Sequence, residues 1–264
     1  MYLVDTHCHL DFFPSDQRVD LFRRCKESNV GELVTIGTRL SQASVQINLT
    51  QLSSPTLKIW CTIGTHPGHV EEEIAETTDA IASFTQHPMV IGIGETGLDY
   101  YYGEVEYFEK QRQSFKRHIQ ASQITQLPLC IHARNADEDL IHIISEEYGK
   151  GGPFPFVIHC FSSSLELAQF ALKMGGYISI SGIVTFKNAG DLRSIIKELP
   201  LDRLLIETDS PYLAPVPKRG KQNEPAFVAY TAQFLAKLFQ IKLEELTHTT
   251  TRNFYKLFSK ASAT

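Results

Sequence analysis

Residues 2–9 of the chain read YLVDTHCH, a short apolar run that ends in two histidines. Alternate residues of a β-strand face the same way, so this stretch predicts that Asp5, His7 and His9 share one direction. Two imidazoles and a carboxylate that converge within ten residues favour a metal site, initially a mononuclear zinc site with Asp5 as a ligand. The same arrangement recurs along the chain, where further apolar runs end at ligand-type residues. This repetition decides the predicted fold.

Eight short apolar, β-branched runs follow one another, and a helix-compatible stretch separates each run from the next. Several runs are almost wholly apolar, which is typical of parallel strands buried on both faces. Their spacing leaves room for a crossover helix each time. The predicted strands are residues 2–6, 32–36, 58–63, 90–94, 128–132, 156–159, 177–181 and 203–207.

Alternating strands and helices indicate an α/β fold, and eight strands can close into a single-domain (β/α)8 TIM barrel over residues 1–264. Ser41 is the predicted helix start before residues 42–51, and residues 163–166, SSLE, resemble a capping box. The proline-rich residues 211–225 are predicted to form a long loop at the rim. The other predicted helices are residues 19–28, 104–123, 137–148, 165–174 and 189–199, with 227–239 and 243–258 completing the outer ring.

Composition excludes several classes of protein. The net charge of −5 provides no protein-wide positive field for nucleic acid or an anionic membrane, so a phosphate-bearing substrate would need metals or a local basic cluster. The five cysteines are odd in number and form no CxxC pair, which favours reduced thiols and a cytoplasmic location over a disulfide framework. No apolar run is long enough for a membrane span, and no signal peptide is expected.

Six ligand-type residues lie at or just beyond the ends of the predicted strands, and barrel active sites form at the carboxyl ends of strands. Four histidines and two carboxylates are too many for one tetrahedral ion and suit two divalent ions, with the central Glu95 as the natural bridge. Each residue also has a structural alternative, such as a turn carboxylate for Glu95 or an Asx-turn for Asp209. The six residues are His7, His9, Glu95, His132, His159 and Asp209.

Motifs along nearly the whole chain carry a family resemblance. They are VDTHCH (4–9), GTHPG (64–68), GIGETGLDY (92–100), LCIHAR (129–134), IHCFS (158–162), ETDSPYL (207–213), PKRGK (217–221) and TRNF (251–254). In content and order they resemble the TatD family of metal-dependent deoxyribonucleases, a branch of the amidohydrolase-like barrels. Many amidohydrolases bridge their metals with a carbamylated lysine on strand 4, whereas this chain has Glu95 there.

The resemblance implies two metal sites that share one carboxylate. One metal is expected on His7, His9, Glu95 and Asp209, and the other on Glu95, His132 and His159. With these strands in place, Asp5 is expected one pleat below the metals, and Glu95 and Asp209 take over its role.

Two metals lower the pKa of a bridging water, and the resulting hydroxide is expected to attack a phosphodiester phosphorus. Asp209 is predicted to orient this nucleophile and accept its proton. Glu207 shares the strand parity of Asp209 and is predicted to be a supporting partner or a supplementary base. An ion pair of Glu207 with a base such as Arg203 is the alternative.

Two further residues are predicted to handle the phosphate. His66 ends strand 3 and would bind phosphate or protonate the leaving oxygen, with a structural hydrogen bond as the alternative. Arg134 lies two residues after a candidate ligand and would contact phosphate in a bidentate manner. An ion pair of Arg134 with Asp137 or Glu138 is the competing interpretation.

Two rim loops supply candidate DNA contacts. Lys218, Arg219 and Lys221 form a compact basic cluster that could bind the nucleic-acid backbone, although solvated surface charge is the default for such a trio. Residues 100–102 are three tyrosines, of which Tyr100 is the foremost candidate to stack an unpaired base. Aromatic residues of this kind equally serve to pack a loop.

The sequence therefore predicts a metal-dependent deoxyribonuclease of exonuclease type that uses two divalent ions, Mg, Mn or Zn-like, on single-stranded or terminal DNA. A barrel mouth accommodates a strand end better than a continuous duplex. Hydrolysis of a small amide, ester or lactone by the same hydroxide is the second hypothesis. The third is a metal-binding scaffold that acts through partners, although the sequence implies neither an obligate protein partner nor a membrane.

Overall fold

Eight parallel strands form one sheet in sequence order in the computed structural model of the chain. The structure describes residues 2–73, 75–101 and 103–262. The predicted barrel is confirmed, and the described residues form a single domain. The strands are β1 Leu3–Cys8, β2 Val30–Thr35, β3 Lys58–Ile63, β4 Val90–Asp99, β5 Leu129–Arg134, β6 Phe156–Ile158, β7 Tyr177–Ile180 and β8 Leu204–Ile206.

The sheet closes where the chain beyond β8 meets the end of β1. The Asp209 backbone N–H donates to the His7 carbonyl at 2.9 Å, and the His9 N–H donates to the Ser210 carbonyl at 2.9 Å. This junction between residues 7–9 and 208–210 is called the seam below. Because the seam is made by the backbone of candidate ligands, barrel closure itself brings His7, His9 and Asp209 together.

The strict alternation predicted for residues 5–9 is broken. The register between β1 and β2 shifts between Asp5 and Cys8. Asp5 accepts hydrogen bonds from the Thr208 backbone N–H at 2.8 Å and from the Thr208 hydroxyl at 2.6 Å, so it fastens the seam. It is in none of the candidate ligand clusters among the described residues. Burial raises the pKa of Asp5 well above its usual range, although these hydrogen bonds oppose the shift.

Helices cover the outside of the sheet, and two helix starts differ from the sequence prediction. Ser41 lies within a short 3-10 helix and caps nothing, since α2 begins at Ala43. Ser164 is the N-cap of α6 and its hydroxyl accepts from Leu167 N, so Glu166 does not occupy the position that a capping box requires. The helices are α1 Ser15–Glu27, α2 Ala43–Thr50, α3 Thr78–Phe84, α4 Val105–Thr125, α5 Asp137–Gly151, α6 Leu165–Lys173, α7 Gly190–Lys197, α8 Val228–Phe239, α9 Leu243–Leu257 and α10 Ser259–Ser262.

The C-terminal helices also contribute to the barrel core. Phe254 of α9 and the following Phe258 are fully buried and pack in one cluster with Val34, Ile91 and Leu205 from the strands. Apolar burial of this kind stabilises the barrel by roughly 25 cal/mol per Å². Among the described residues, no helix is both long and apolar enough to cross a membrane.

Strand β4 is longer than predicted and continues from Val90 to Asp99. Its glycines explain the difference, since Gly97 adopts a φ of +135° and a Cβ at that position would lie 2.2 Å from the His132 carbonyl oxygen. Gly97 therefore lets β4 press against β5, where it pairs with His132. The extension carries Asp99 to the carboxyl end of the barrel.

Candidate metal centre

The Glu95 carboxylate lies between two groups of histidines and is almost fully buried, with 3% exposed. Its Oε2 atom lies 3.4 Å from His7 Nε2 and 3.8 Å from His9 Nε2. Its Oε1 atom lies 2.7 Å from His159 Nε2 and 2.9 Å from His132 Nδ1. One carboxylate thus presents a separate oxygen to each pair of imidazoles.

The first group, called the seam group, consists of His7, His9 and Asp209. Asp209 Oδ1 lies 3.4 Å from His9 Nε2 and 3.7 Å from His7 Nε2. Asp209 adopts a φ of +55°, and buried Asn223 donates from Nδ2 to the carbonyls of Thr208 at 2.9 Å and Tyr212 at 2.5 Å. Asn223 therefore holds the turn on both sides of Asp209.

The second group, called the sheet group, consists of His132 on β5 and His159, the residue that follows the adjacent strand β6. Each of the two imidazoles has a carboxylate near its second nitrogen. His132 Nε2 lies 3.0 Å from Asp99 Oδ2, and His159 Nδ1 lies 3.4 Å from Glu207 Oε1. Carboxylates in this position orient a metal-binding imidazole and raise its basicity.

Charge inside the site shifts the titration of its residues. Burial by itself would raise the pKa of Glu95, but the charge of His159 and the hydrogen bonds from His132 and His159 hold it well below its usual range. Burial would lower the pKa of His159, yet the negative charge of Glu95 raises it well above the usual value. Burial and the neighbouring His159 lower the pKa of His7. The pKa of His132 is raised because its hydrogen bonds to carboxylates outweigh the effect of burial.

The seam carboxylate is also ionised at neutral pH. Burial would raise the pKa of Asp209, but the hydrogen bond from His9 and the charge of His7 lower it. The same contact works in the other direction, since Asp209 raises the pKa of His9 against the effect of burial. Asp209 is therefore available as a negatively charged ligand or as a proton acceptor.

The residues fit a pair of divalent ions. His7 Nε2 is buried, lies 3.4 Å from Glu95 Oε2 and has no hydrogen-bond partner within the described residues, and a bound cation would satisfy this atom. Ligand atoms of His7, His9 and Glu95 lie within 4.8 Å of one another, as do those of His7, His159 and Asp209. Imidazole and carboxylate donors of this kind suit Zn, Mn and similar ions.

The centre opens into a cavity of about 1090 Å³, called the mouth cavity, at the carboxyl end of the barrel. Every predicted ligand except His7 lines this cavity, which agrees with the position of active sites in such barrels. The candidate ligands in its wall are His9, Glu95, His132, His159 and Asp209.

Residues 4–259 match the family described as TatD related DNase. The chain belongs to this family. It is 38% identical over 262 residues to the uncharacterized metal-dependent hydrolase YcfH of Escherichia coli K12. This alignment covers 98% of this chain and 96% of YcfH. It is 36% identical to the uncharacterized metal-dependent hydrolase YabD of Bacillus subtilis, over 97% of this chain and 98% of YabD. The crystal structure of YJJV, a TatD homolog from E. coli K12, superposes with a TM-score of 0.87 at 26% identity and covers 97% of this chain and 98% of YJJV.

This TatD-family chain is thus a metal-dependent hydrolase, and His66 lies next to the candidate metal centre. His66 Nε2 lies 3.5 Å from Glu95 Oε1, while Nδ1 accepts a hydrogen bond from Gly68 N at 2.9 Å. With Nδ1 as acceptor, a neutral ring carries its proton on Nε2, which faces the site. Burial lowers the pKa of His66 to about 3, so the ring is neutral and suited to donate a hydrogen bond.

Arg134 and Glu207 contact residues other than the ion-pair partners considered from the sequence. Arg134 lines the mouth cavity, its guanidinium lies over the Tyr101 ring at 3.8 Å, and its Nη1 atom lies 3.9 Å from Asp99 Oδ2. Glu207 is fully buried and accepts from Cys160 N at 2.7 Å. The guanidinium of Arg203 lies over a tyrosine ring instead of pairing with Glu207.

The predicted DNA contacts on the rim lie outside the mouth cavity. Tyr100 stacks on Phe108 with ring centroids 4.2 Å apart and donates its hydroxyl to Asp139 at 2.5 Å, so this ring packs the loop, and base stacking by Tyr100 stays a prediction. Lys218 lies over two aromatic rings of the C-terminal region, and Arg219 lies 3.8 Å over a phenylalanine ring. None of these three residues lines the described wall of the cavity. Lys221 is exposed on the same loop, and the prediction for residue 102 lies outside the described residues.

Sequence reasoning missed two residues that support the site. Asp99 shares strand parity with Glu95, and this signal could have been recognised had β4 been extended past the glycines. Asn223 gives no comparable signal, because its two acceptors lie 15 and 11 residues away in a loop without periodicity. Its role depends on the path of that loop.

Proposed function

We propose that this TatD-family hydrolase is a deoxyribonuclease that cleaves phosphodiester bonds at a strand end with two divalent ions. The observation that carries the proposal is Glu95, whose two oxygens face the seam group and the sheet group separately. A carboxylate in this position is suited to bridge two metals, which is the arrangement of two-metal phosphoesterases and nucleases.

The proposed ligands follow from the distances. One ion would be held by Glu95 Oε2 with His7, His9 and Asp209, and the other by Glu95 Oε1 with His132 Nδ1 and His159 Nε2. When bound, such a pair of ions supplies a water of lowered pKa and neutralises charge on the phosphate. Four imidazoles favour Zn-like ions, whereas Mn or Mg remain compatible with the carboxylates.

Around this centre the chain's own residues have separate roles. Asp209 is ionised and its side chain is 16% exposed, so it can orient a water and accept its proton. Glu207 is fully buried behind His159, and we assign it to orientation of that imidazole instead of to proton transfer. His66 presents an N–H toward the site and is suited to hold a phosphate oxygen.

Two features favour a phosphodiester over a small amide, ester or lactone. The wall of the mouth cavity beside the sheet group carries His66 and Arg134, both of which donate to anionic oxygens. The cavity is also closed at its base by Glu95 and the histidines, so a strand end reaches them more easily than a continuous duplex. The basic side chains Lys218 and Arg219 lie farther out and would contact only the following backbone phosphates.

The test is cleavage of end-labelled single- and double-stranded DNA by purified protein with Mg²⁺, Mn²⁺ or Zn²⁺. We expect stepwise shortening from one end by the wild type and none by His132→Ala. Absence of cleavage with every metal would overturn the nuclease proposal. Equal activity of His132→Ala would show that a contaminant cleaves the DNA. Turnover of a panel of amides, esters and lactones in place of DNA would support the second hypothesis.

A further inference from the structure

Two exposed aromatic side chains lie next to each other at the rim. Phe12 is 49% exposed and Tyr212 is 53% exposed, and both line the mouth cavity. Their ring centroids are 6.1 Å apart with an interplanar angle of 65°. Exposed apolar rings cost hydrophobic free energy, and a pair of them in the wall of a functional cavity indicates a binding surface.

Both rings are carried on backbone that also positions the seam group. Phe12 follows His9 by three residues, and their rings meet edge to face with centroids 5.6 Å apart. Tyr212 follows Asp209 by three residues, and its backbone N–H donates to the Asp209 carbonyl at 3.0 Å. Asn223 binds the Tyr212 carbonyl. The rings are therefore held at a fixed place beside one half of the metal centre.

The two walls of the mouth cavity differ in chemistry. Beside the aromatic pair lie the apolar residues Ile183 and Leu213. His66 follows β3 and Arg134 ends β5, on the other side of the barrel from the loops after β1, β7 and β8 that carry the apolar residues. A ligand that fits both walls has a flat apolar part and an anionic part separated by a short spacer, which is the composition of a nucleotide.

We infer that Phe12 and Tyr212 form a stacking platform for an unpaired nucleobase next to the scissile phosphodiester. The inference rests on the proposed nuclease function and adds the means by which a strand end is held. Aromatic rings stack on any base, so the platform binds without strong sequence preference and requires a base that is not paired. It takes the role that the sequence assigned to Tyr100, whose ring is occupied by Phe108.

Binding is tested with 2-aminopurine, a base whose fluorescence is quenched by stacking. Single-stranded oligonucleotides carry it at the 5′ or the 3′ end, with phosphorothioate linkages to slow cleavage, and are mixed with the Mg²⁺-loaded protein. We expect the wild type to quench the probe at one end, and the double variant Phe12→Leu with Tyr212→Leu to quench it far less. Phe84→Leu, which changes a partly exposed phenylalanine on α3, is the matched control and should quench like the wild type.

Catalysis gives a second and independent measurement. For each protein, kcat/KM is compared between an oligonucleotide with a terminal base and one with an abasic terminus. The wild type should prefer the base by roughly 5- to 150-fold, the range expected for stacking of one base on aromatic rings, and the double variant should lose most of that preference. Full quenching and an unchanged preference in the double variant would overturn the platform. Absence of DNA cleavage by the wild type would instead count against the proposed function, and the quenching would still report on the platform.

Discussion

The two halves of the candidate metal centre are built in different ways. The seam group joins β1 to the turn after β8, so its members are about 200 residues apart and meet only when the barrel closes. In the sheet group, His132 lies on β5 and His159 is the residue after β6, so the pairing of two adjacent strands brings its members together. Carboxylates lie near the second nitrogens of the sheet histidines, whereas the Nδ1 atoms of both seam histidines are without a partner in the described structure.

This difference shows that similar ligand sets can depend on different parts of the fold. The sheet group depends on Asp99 and Glu207, which set the orientation and basicity of its imidazoles. The seam group depends on the backbone, which Asp5 and Asn223 fasten through hydrogen bonds with Thr208. Glu95 contacts both groups, so its loss should affect both of them and not one alone.

The largest effect is expected for Glu95→Ala, because both groups lose a ligand at once. Cleavage should fall by roughly 10²- to 10³-fold or more, and both ions should bind weakly. Metal content after equilibrium dialysis, measured by mass spectrometry, checks this together with the cleavage rate. Glu71→Gln, a carboxylate in the wall of the same cavity, is the control. Retention of one ion at wild-type affinity would show that Glu95 serves a single group.

Asp99→Asn should affect the sheet group alone. Loss of the negative charge beside His132 Nε2 is expected to lower metal affinity or activity by roughly 10- to 100-fold. Titration with Mn²⁺ should show one weakened site and one unchanged site. Equal weakening of both sites would mean that Asp99 supports both groups. Asp79→Asn on α3 makes the same change of charge away from the site and is the control.

The two groups should also release metal at different pH values. The pKa values of His132 and His159 are raised, so protons compete with the metal for these imidazoles already at pH values above the ordinary histidine pKa. The metal affinity of the sheet group therefore falls as the pH decreases through that range. The seam group has one histidine with a raised pKa, His9, and one with a lowered pKa, His7, so fewer protons compete with its metal over the same range. Metal content measured between about pH 8 and pH 5 should fall first at the sheet group, by roughly tenfold per pH unit for each proton displaced. Loss of metal from the seam group at a higher pH than from the sheet group would contradict this prediction.

The smallest effect on chemistry is expected for Asn223→Ala, which touches no candidate ligand directly. The variant leaves the buried carbonyl of Thr208 and the partly buried carbonyl of Tyr212 without their Nδ2 donor, so the free energy of unfolding should fall by about 1–3 kcal/mol. Urea denaturation of metal-free protein measures this, with Asn48→Ala on exposed α2 as the control. The seam ion should bind somewhat more weakly and the sheet ion as before. An unchanged stability would show that the turn around Asp209 holds its shape alone.

The sequence by itself determined the architecture and the set of candidate ligands. Burial on both faces makes a parallel strand wholly apolar, so the eight runs were visible in the sequence, and ligand-type residues at their ends had to meet at one end of a barrel. Local periodicity failed where the backbone is irregular. It placed Asp5 alongside His7 and His9, and it ended β4 before Asp99. The alternation of apolar and polar residues does not indicate a register shift, and it does not indicate a strand that continues through glycines with positive φ.

Only the tertiary structure decided how the ligands are divided and supported. The direction of each Glu95 oxygen, the contact of Asp99 with His132 and the meeting of Phe12 with Tyr212 all join residues from different loops or strands. Such contacts depend on register, on barrel closure and on turns such as the one at Asp209, where a left-handed backbone directs the side chain. A sequence pattern records whether a residue is buried, whereas its partner is set by the path of the rest of the chain.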